Sequence, residues 1–298
     1  MTARTHVVDD VQVAAGDVAR ARLVATLPVT DSRLDIAGVS TAVLEGGHGP
    51  PVVLLHGPGE YAAGAARIIP ELTRTHRVIA PDLPGHGAST APDRPLDGAQ
   101  VFAWLDELID ATCPSPPAVV GRVAGGAIAA SFAADHGRRL DRLVLVDTFG
   151  LAELRPTARF ELVLTRFLAQ PGDHTYDRLM AECLFDVDRV RDEVGELWEP
   201  LAAYAIDRAR SPGVQAAVGA LIGEFGIAPI PPATLERIPV PVTLIWGRHD
   251  LATPLEVAEA ASARYGWPLQ VIEDTGDDPS LDQPDAYLSA LHAALGDT

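Results

Sequence analysis

Two aspartates, Asp250 and Asp277, and one arginine, Arg122, stand in glycine-containing segments that each follow a short apolar run. Carboxyl groups held in such turns can give and take protons. Two of them brought together cannot both ionise cheaply, so one pKa should rise, leaving a protonated acid beside a charged base. Other reactive side chains are less promising. The histidines are His6, His48, His56, His76, His86, His136, His174, His249 and His292. The cysteines, Cys113 and Cys183, have no metal-like or disulfide spacing and read as reduced thiols. All 23 basic residues are arginine, which excludes a Schiff-base lysine and a phosphate-loop lysine. No metal cluster and no nucleotide fingerprint occurs, so cofactor-free chemistry is expected.

The elements that must carry these groups alternate between strand and helix. Apolar runs at Pro51–Leu55, Arg77–Ala80, Pro117–Val120 and Leu140–Val146 read as strands buried on both faces. Helical stretches fall between them, at about residues 62–74, 96–111 and 126–135. Residues 151–232 read as helices only, with segments at 159–168, 176–184, 190–210 and 212–225. Strands resume at Val240–Trp246 and Leu269–Ile272, with helices at about 254–263 and 285–295. This order implies an α/β fold with a mostly parallel sheet flanked by helices, whose ligands bind beyond the carboxyl ends of the strands. The expected division is an N-terminal extension at 1–32, helical and packed on the body, a core formed by 33–150 and 233–298, and a helical cap at 151–232. The cap is a lid inserted after the fourth buried strand.

Four segments, in order and in register, resemble the α/β-hydrolase family across almost everything after residue 33. They are His56-Gly57-Pro58-Gly59, Asp82-Leu83-Pro84-Gly85-His86-Gly87-Ala88-Ser89, Trp246-Gly247-Arg248-His249-Asp250, and Gly276-Asp277-Asp278-Pro279. The resemblance implies that the first turn supplies oxyanion-hole N–H groups, the third the acid and the fourth the histidine. It also places a Gly-x-Ser-x-Gly nucleophile elbow at Gly121-Arg122-Val123-Ala124-Gly125. The nucleophile's place is taken by Val123 and the histidine's by Asp277; Asp250 keeps the acid's place. A β-branched residue in a positive-φ elbow is strained, so either the turn relaxes or it retains the strain. His56, His86 and His249 fall where the family has histidines outside its triad. His174, in the cap, is the one free to reach a pocket from above.

Removing the nucleophile of such a triad costs about 10⁶ in turnover, and the oxyanion donors alone leave roughly 10³–10⁴ over water. Hydrolysis through an acyl-enzyme is therefore not expected. The altered site suits a non-hydrolytic enzyme of cyclase, isomerase, dehydratase or lyase type, of the kind found in secondary metabolism. It would act on a hydrophobic small molecule by carboxylate acid/base chemistry and confinement. Asp250 and Asp277 are the candidate catalytic pair. The candidate substrate-binding residues are His56, Gly57, Pro58, Glu60, Tyr61, Arg122, Val123, Ala124, Phe149, His174, Trp198, Tyr204 and Phe225. Two other readings stay open: a catalytically inactive protein that binds its ligand, and a scaffold or homodimer with an idle pocket. Asp277 itself admits a plainer role, solvated or paired with Arg122.

The formal net charge of −18 argues against nucleic acid and anionic membrane surfaces as partners. Residues 1–20 mix charges without an apolar stretch, unlike a signal peptide, and no apolar run approaches the length of a membrane span. A soluble, cytoplasmic protein is expected.

Overall fold

The computed structural model describes residues 15–91 and 96–296. Eight strands form one sheet: β1 (Thr30–Ile36), β2 (Val39–Gly46), β3 (Pro51–Leu55), β4 (Arg77–Pro81), β5 (Ala118–Arg122), β6 (Arg142–Val146), β7 (Val242–Gly247) and β8 (Leu269–Ile272). Their spatial order is β1-β2-β4-β3-β5-β6-β7-β8. β1 and β2 pair antiparallel, as do β2 and β4; every pairing from β4 through β8 is parallel.

The central parallel strands are mostly apolar because both faces are covered. In β3, Val53 and Leu55 enter the core on one face while Val52 and Leu54 enter the core on the other. β6 divides the same way, with Leu143 and Leu145 opposed to Val144 and Val146. This is the two-residue alternation of a strand applied to two apolar layers. Each fully buried Val or Leu contributes about 1.5–3 kcal/mol relative to exposure. Helices Gly98–Thr112, Ala124–His136 and Leu255–Tyr265 bring Leu105, Ile128 and Ala258 to the first layer. Helices Ala15–Val24 and Pro284–Leu295 bring Leu23 and Leu291 to the second.

Three sequence expectations differ from the structure. The hairpin β1–β2 precedes the first apolar run, so the core begins at Thr30 rather than residue 33. Its two-residue turn, Ala37-Gly38, takes φ of 49° and 80°, and an alanine there lacks the usual Asn-Gly signature. The long helix expected at 190–210 is two, Val187–Val194 and Trp198–Arg210, broken where Gly195 adopts φ 58°. The helix beginning at Pro212 ends at Leu221 and closes with a single π turn, Ile222–Gly226. Of the N-terminal extension, residues 1–14 lie outside the described residues; the helix Ala15–Val24 packs against Trp198–Arg210.

One contact ties the helix Ala124–His136 to the sheet. A Cβ on Gly125 would lie 2.4 Å from the Leu55 carbonyl oxygen and 2.6 Å from that of His56. Gly125→Ala is therefore expected to destabilise the fold by about 3 kcal/mol, because backbone must move. Exposed Gly219, inside the helix Pro212–Leu221, has nothing within 4 Å of such an atom. Gly219→Ala should be neutral or gain up to about 1 kcal/mol from helix propensity. Paired denaturant titrations check both, and equal effects would disprove the close-approach argument.

Candidate active site

The turn between β5 and the helix Ala124–His136 is held by three glycines. Besides Gly125, a side chain on Gly121 would meet the Gly125 carbonyl at 2.5 Å, and one on Gly126 would meet Thr148 Oγ1 at 2.1 Å. Between them Val123 sits at φ 52°, ψ −116°. The strain of the elbow is retained, not relaxed. Its N–H donates to the Val146 carbonyl at 3.1 Å. Its own carbonyl accepts from Ala127 N, Phe149 N and Thr148 Oγ1, at 3.3, 3.1 and 3.1 Å. The surroundings thus over-determine a conformation costing about 1–3 kcal/mol.

The turn after β3 has been converted from an anion cradle into a salt bridge. Gly57 N–H donates to Glu60 Oε2 at 2.9 Å, and Pro58 has no N–H to offer. Glu60 Oε1 pairs with Arg122 Nη2. Arg122 also donates through Nη1 to the Asp277 carbonyl at 2.5 Å and lies 3.5 Å from Asp278 Oδ2. The guanidinium of the elbow therefore bridges the first and fourth motif segments. Asp278 in addition caps the short helix Pro279–Asp282, accepting from Ser280 N and Leu281 N.

His56 is structural. Nδ1 bonds the Gly57 carbonyl at 2.7 Å, and Nε2 accepts from Leu83 N–H at 3.0 Å, tying this turn to the one following β4. Burial, with Arg122 adding positive charge, lowers its pKa to about 4, so the ring is neutral. His86, beside it at 5.7 Å, is lowered to about 4 for the same leading reason.

Three carboxyl groups converge beyond the ends of β6, β7 and β8. Asp250 is 5 % exposed; its Oδ1 accepts from Ala252 N and Thr253 N at 2.7 and 2.9 Å, while Oδ2 has no partner. Asp147, fully buried after β6, accepts from Gly247 N through Oδ1 at 2.8 Å and leaves Oδ2 unpartnered. Asp277 is partly exposed, its N–H fixed by the Cys183 carbonyl at 2.9 Å. Burial raises the Asp250 pKa to about 7 against its two N–H donors. Burial and then the neighbouring Asp250 charge raise Asp147. Burial raises Asp277 as well, with Asp250, Asp278 and Glu60 adding to the rise and Arg122 opposing it. Asp147 was invisible to the sequence reading, since a single aspartate after an apolar strand matches no spacing used there.

Above this cluster lies a cavity of about 370 Å³. Among the sequence candidates His56, Pro58, Glu60, Tyr61, Arg122, Val123, Phe149, Trp198 and Asp277 line it. Gly57 and Ala124 lie behind the wall, and Asp250 sits beneath Asp277 rather than on the surface of the cavity. His174 is exposed on the helix Asp173–Cys183 and does not reach the cavity. Tyr204 is spent on an edge-on contact with Tyr61 at 4.6 Å, and Phe225 on Phe102 at 5.9 Å in the main core. Most of the wall was not foreseen: Phe160, Phe167, Tyr176 and Leu179 from the helices between β6 and β7, and Ser280 and Tyr287 from beyond β8. Among the described residues, no three His, Cys, Asp or Glu side chains are grouped to hold a metal ion. No described helix is long and apolar enough to cross a membrane.

Comparison with known proteins agrees with this architecture. A family model described as the alpha/beta hydrolase fold matches residues 50–284. A 2-hydroxy-6-oxo-6-(2'-aminophenyl)hexa-2,4-dienoic acid hydrolase of Metapseudomonas resinovorans is 28 % identical over 76 % of this chain and 76 % of its own. The magnesium-chelatase 30 kDa subunit of Rhodobacter capsulatus is 32 % identical over 73 % of this chain and 76 % of its own. Among solved structures, the 2-hydroxy-6-oxo-6-phenylhexa-2,4-dienoate hydrolase of Rhodococcus sp. strain RHA1 superimposes with a TM-score of 0.77 at 25 % identity, covering 90 % of this chain and 98 % of that one.

The buried Asp250 makes stability depend on pH with a definite sign. Its carboxyl titrates near 7 when folded and near 3.8 when unfolded, so between those values the folded state holds a proton that the unfolded state has lost. This contribution is complete below the lower value and lost as pH rises through the upper. Asp250→Asn removes the titration. Relative to the parent it should gain stability from pH 4 to pH 7, at most about 1.4 kcal/mol per pH unit. Denaturation of both proteins at pH 4.5 and 7.5 measures this, and an identical difference at the two pH values would contradict it.

Proposed function

The chain belongs to the alpha/beta hydrolase fold family, and from that premise we propose that it is a member that does not hydrolyse through an acyl-enzyme. Its reaction is a rearrangement or elimination of a hydrophobic small molecule, of cyclase, isomerase, dehydratase or lyase type. Asp277 is the acid/base group that gives and takes the proton, and the charge of the neighbouring Asp250 favours its protonated form. The observation that carries this reading is Asp277 itself, an ionisable group on the wall of an apolar cavity whose pKa is pushed upward by burial and by Asp250. A carboxyl whose pKa is raised can hold, and donate, a proton that an ordinary aspartate has already lost.

The absence of hydrolysis has two supports. Val123 has no atom that could attack a carbonyl. The Gly57 N–H, which would face an oxyanion, is already bonded to a carboxylate, so a developing negative charge would meet Glu60. Several relatives carry the names of hydrolases or esterases, one of them at the same 32 % identity as the magnesium-chelatase subunit, which does not. Similarity at this level therefore does not select hydrolysis. The cavity is large enough for a ligand of drug-like size, and its walls suit a hydrophobic one.

One observation favours a second reading, a protein that binds its ligand unchanged. Arg122 and the Gly57 N–H are already engaged within the protein, so that side of the cavity would hold a molecule with little polarisation.

Incubation with a small-molecule extract of the organism that makes the protein, followed by mass spectrometry, tests both. The expected outcome is a compound consumed with loss of water or with unchanged mass. Asp277→Asn should slow this at least about a hundredfold, the usual scale for losing a general acid. A product heavier by one water would overturn the proposal, and a compound retained intact by both proteins would establish the binding reading.

A further inference from the structure

The polar end of the cavity is unbalanced in charge. Among the described residues lining it, Glu60, Asp277 and Asp278 supply three carboxyl groups against the guanidinium of Arg122. That guanidinium is already paired with Glu60 and Asp278 and donates to the Asp277 carbonyl. The Asp277 carboxyl, by contrast, receives no hydrogen bond from any described residue. A second, separate observation points the same way. Tyr176 and Tyr287 line this cavity while being only 7 % and 3 % exposed, and no described residue bonds to either hydroxyl. Both lie near enough to Asp278 to sense its charge. Polar groups that face a cavity without protein partners are places where a ligand can complete the hydrogen bonding.

We propose that this end of the cavity binds the basic nitrogen of a hydrophobic amine, with Asp277 as its counter-charge and Tyr176 and Tyr287 beside it. The inference rests on the reading above and names the substrate class. An ammonium group has donors only, and it meets acceptors here: the Asp277 carboxylate and the two phenolic oxygens. Phe160, Phe167 and Trp198 supply apolar and aromatic surface for the remainder of the molecule. A ligand carboxylate would instead add a fourth negative group and would have to break the Glu60–Arg122 pair to find a partner. The proton balance is explicit. If the amine enters as ammonium, the Asp277 O–H breaks and its proton leaves to solvent. If it enters neutral, that proton moves to the nitrogen and an N–H bond forms. Either route ends in the same ion pair.

Three probes with one skeleton, phenylbutylamine, phenylbutanol and phenylbutyrate, separate the possibilities by calorimetry near pH 7.5. The amine is expected to bind at least about tenfold more tightly than the alcohol, the scale of one charge-assisted hydrogen bond, and the carboxylate most weakly. Its heat should depend on the ionisation enthalpy of the buffer, reporting the released proton. Asp277→Asn should abolish the amine's advantage while leaving the alcohol's affinity within about twofold, the alcohol result also certifying that the variant is folded. An amine that binds no better than the alcohol, or an advantage that survives Asp277→Asn, overturns the inference but leaves the hydrophobic cavity intact. Tightest binding of the carboxylate overturns it in favour of an anion at Arg122. Failure of all three probes removes the hydrophobic-ligand reading together with this inference.

Discussion

Everything in the site hangs from a contact between backbones. The start of the helix Ala124–His136 lies so close to the end of β3 that Gly125 has no room for a Cβ against the carbonyls of Leu55 and His56. The closeness fixes where β5 ends, where the next helix begins and how sharply the chain turns between them. Val123 takes φ 52° because Gly121, Gly125 and Gly126 leave the turn no other path, and its carbonyl is bound from three directions. A geometry suited to presenting a nucleophile thus persists around a residue that cannot be one. The loops after β3, β7 and β8 are registered against that turn in their turn. Gly247 and Gly276 pass at a distance that would put a Cβ 1.9 Å from a carbonyl oxygen.

With the backbone so constrained, the chemistry of the site is set by side chains. Arg122 spans the site and holds Glu60 against the Gly57 N–H. In the β7 and β8 loops, Asp250 and Asp277 face a buried Asp147, and burial penalises all three charges. A histidine beside Asp250 would have relieved that crowding by carrying positive charge. An aspartate increases it, and the system responds by keeping protons.

The parallel strands were legible in the sequence because each is a short, mostly apolar run, and burial on both faces of the central ones demands that. The four turn segments were legible because close backbone approach restricts them to glycine. The hairpin β1–β2 was not, since its outer strand, TDSRLDI, is polar at the exposed sheet edge and its turn begins with alanine. The cavity wall was the least legible part. Phe160, Phe167 and Tyr176 show helical spacing, which announces a buried face but not whether that face meets another helix or empty space. The misplacement of Tyr204 and Phe225 has the same origin: each is buried at the expected phase of its helix, against Tyr61 and Phe102 rather than the cavity. Asp147 was hidden because only the folded sheet brings the ends of β6 and β7 together.

The valine at the elbow can be weighed by two magnitudes. Holding a β-branched residue at positive φ costs about 1–3 kcal/mol. Burying its side chain, here 7 % exposed, contributes about 1.5–3 kcal/mol. The terms nearly cancel, so against a glycine, which would remove both, Val123 is close to neutral for folding. Stability therefore does not explain a valine there, and its consequence lies in the cavity. The Val123 side chain forms part of the cavity wall and adds apolar surface to a lining whose charged groups are Asp277, Asp278 and the Glu60–Arg122 pair. Asp147 and Asp250, whose Oδ2 atoms have no partner among the described residues, are not part of that wall.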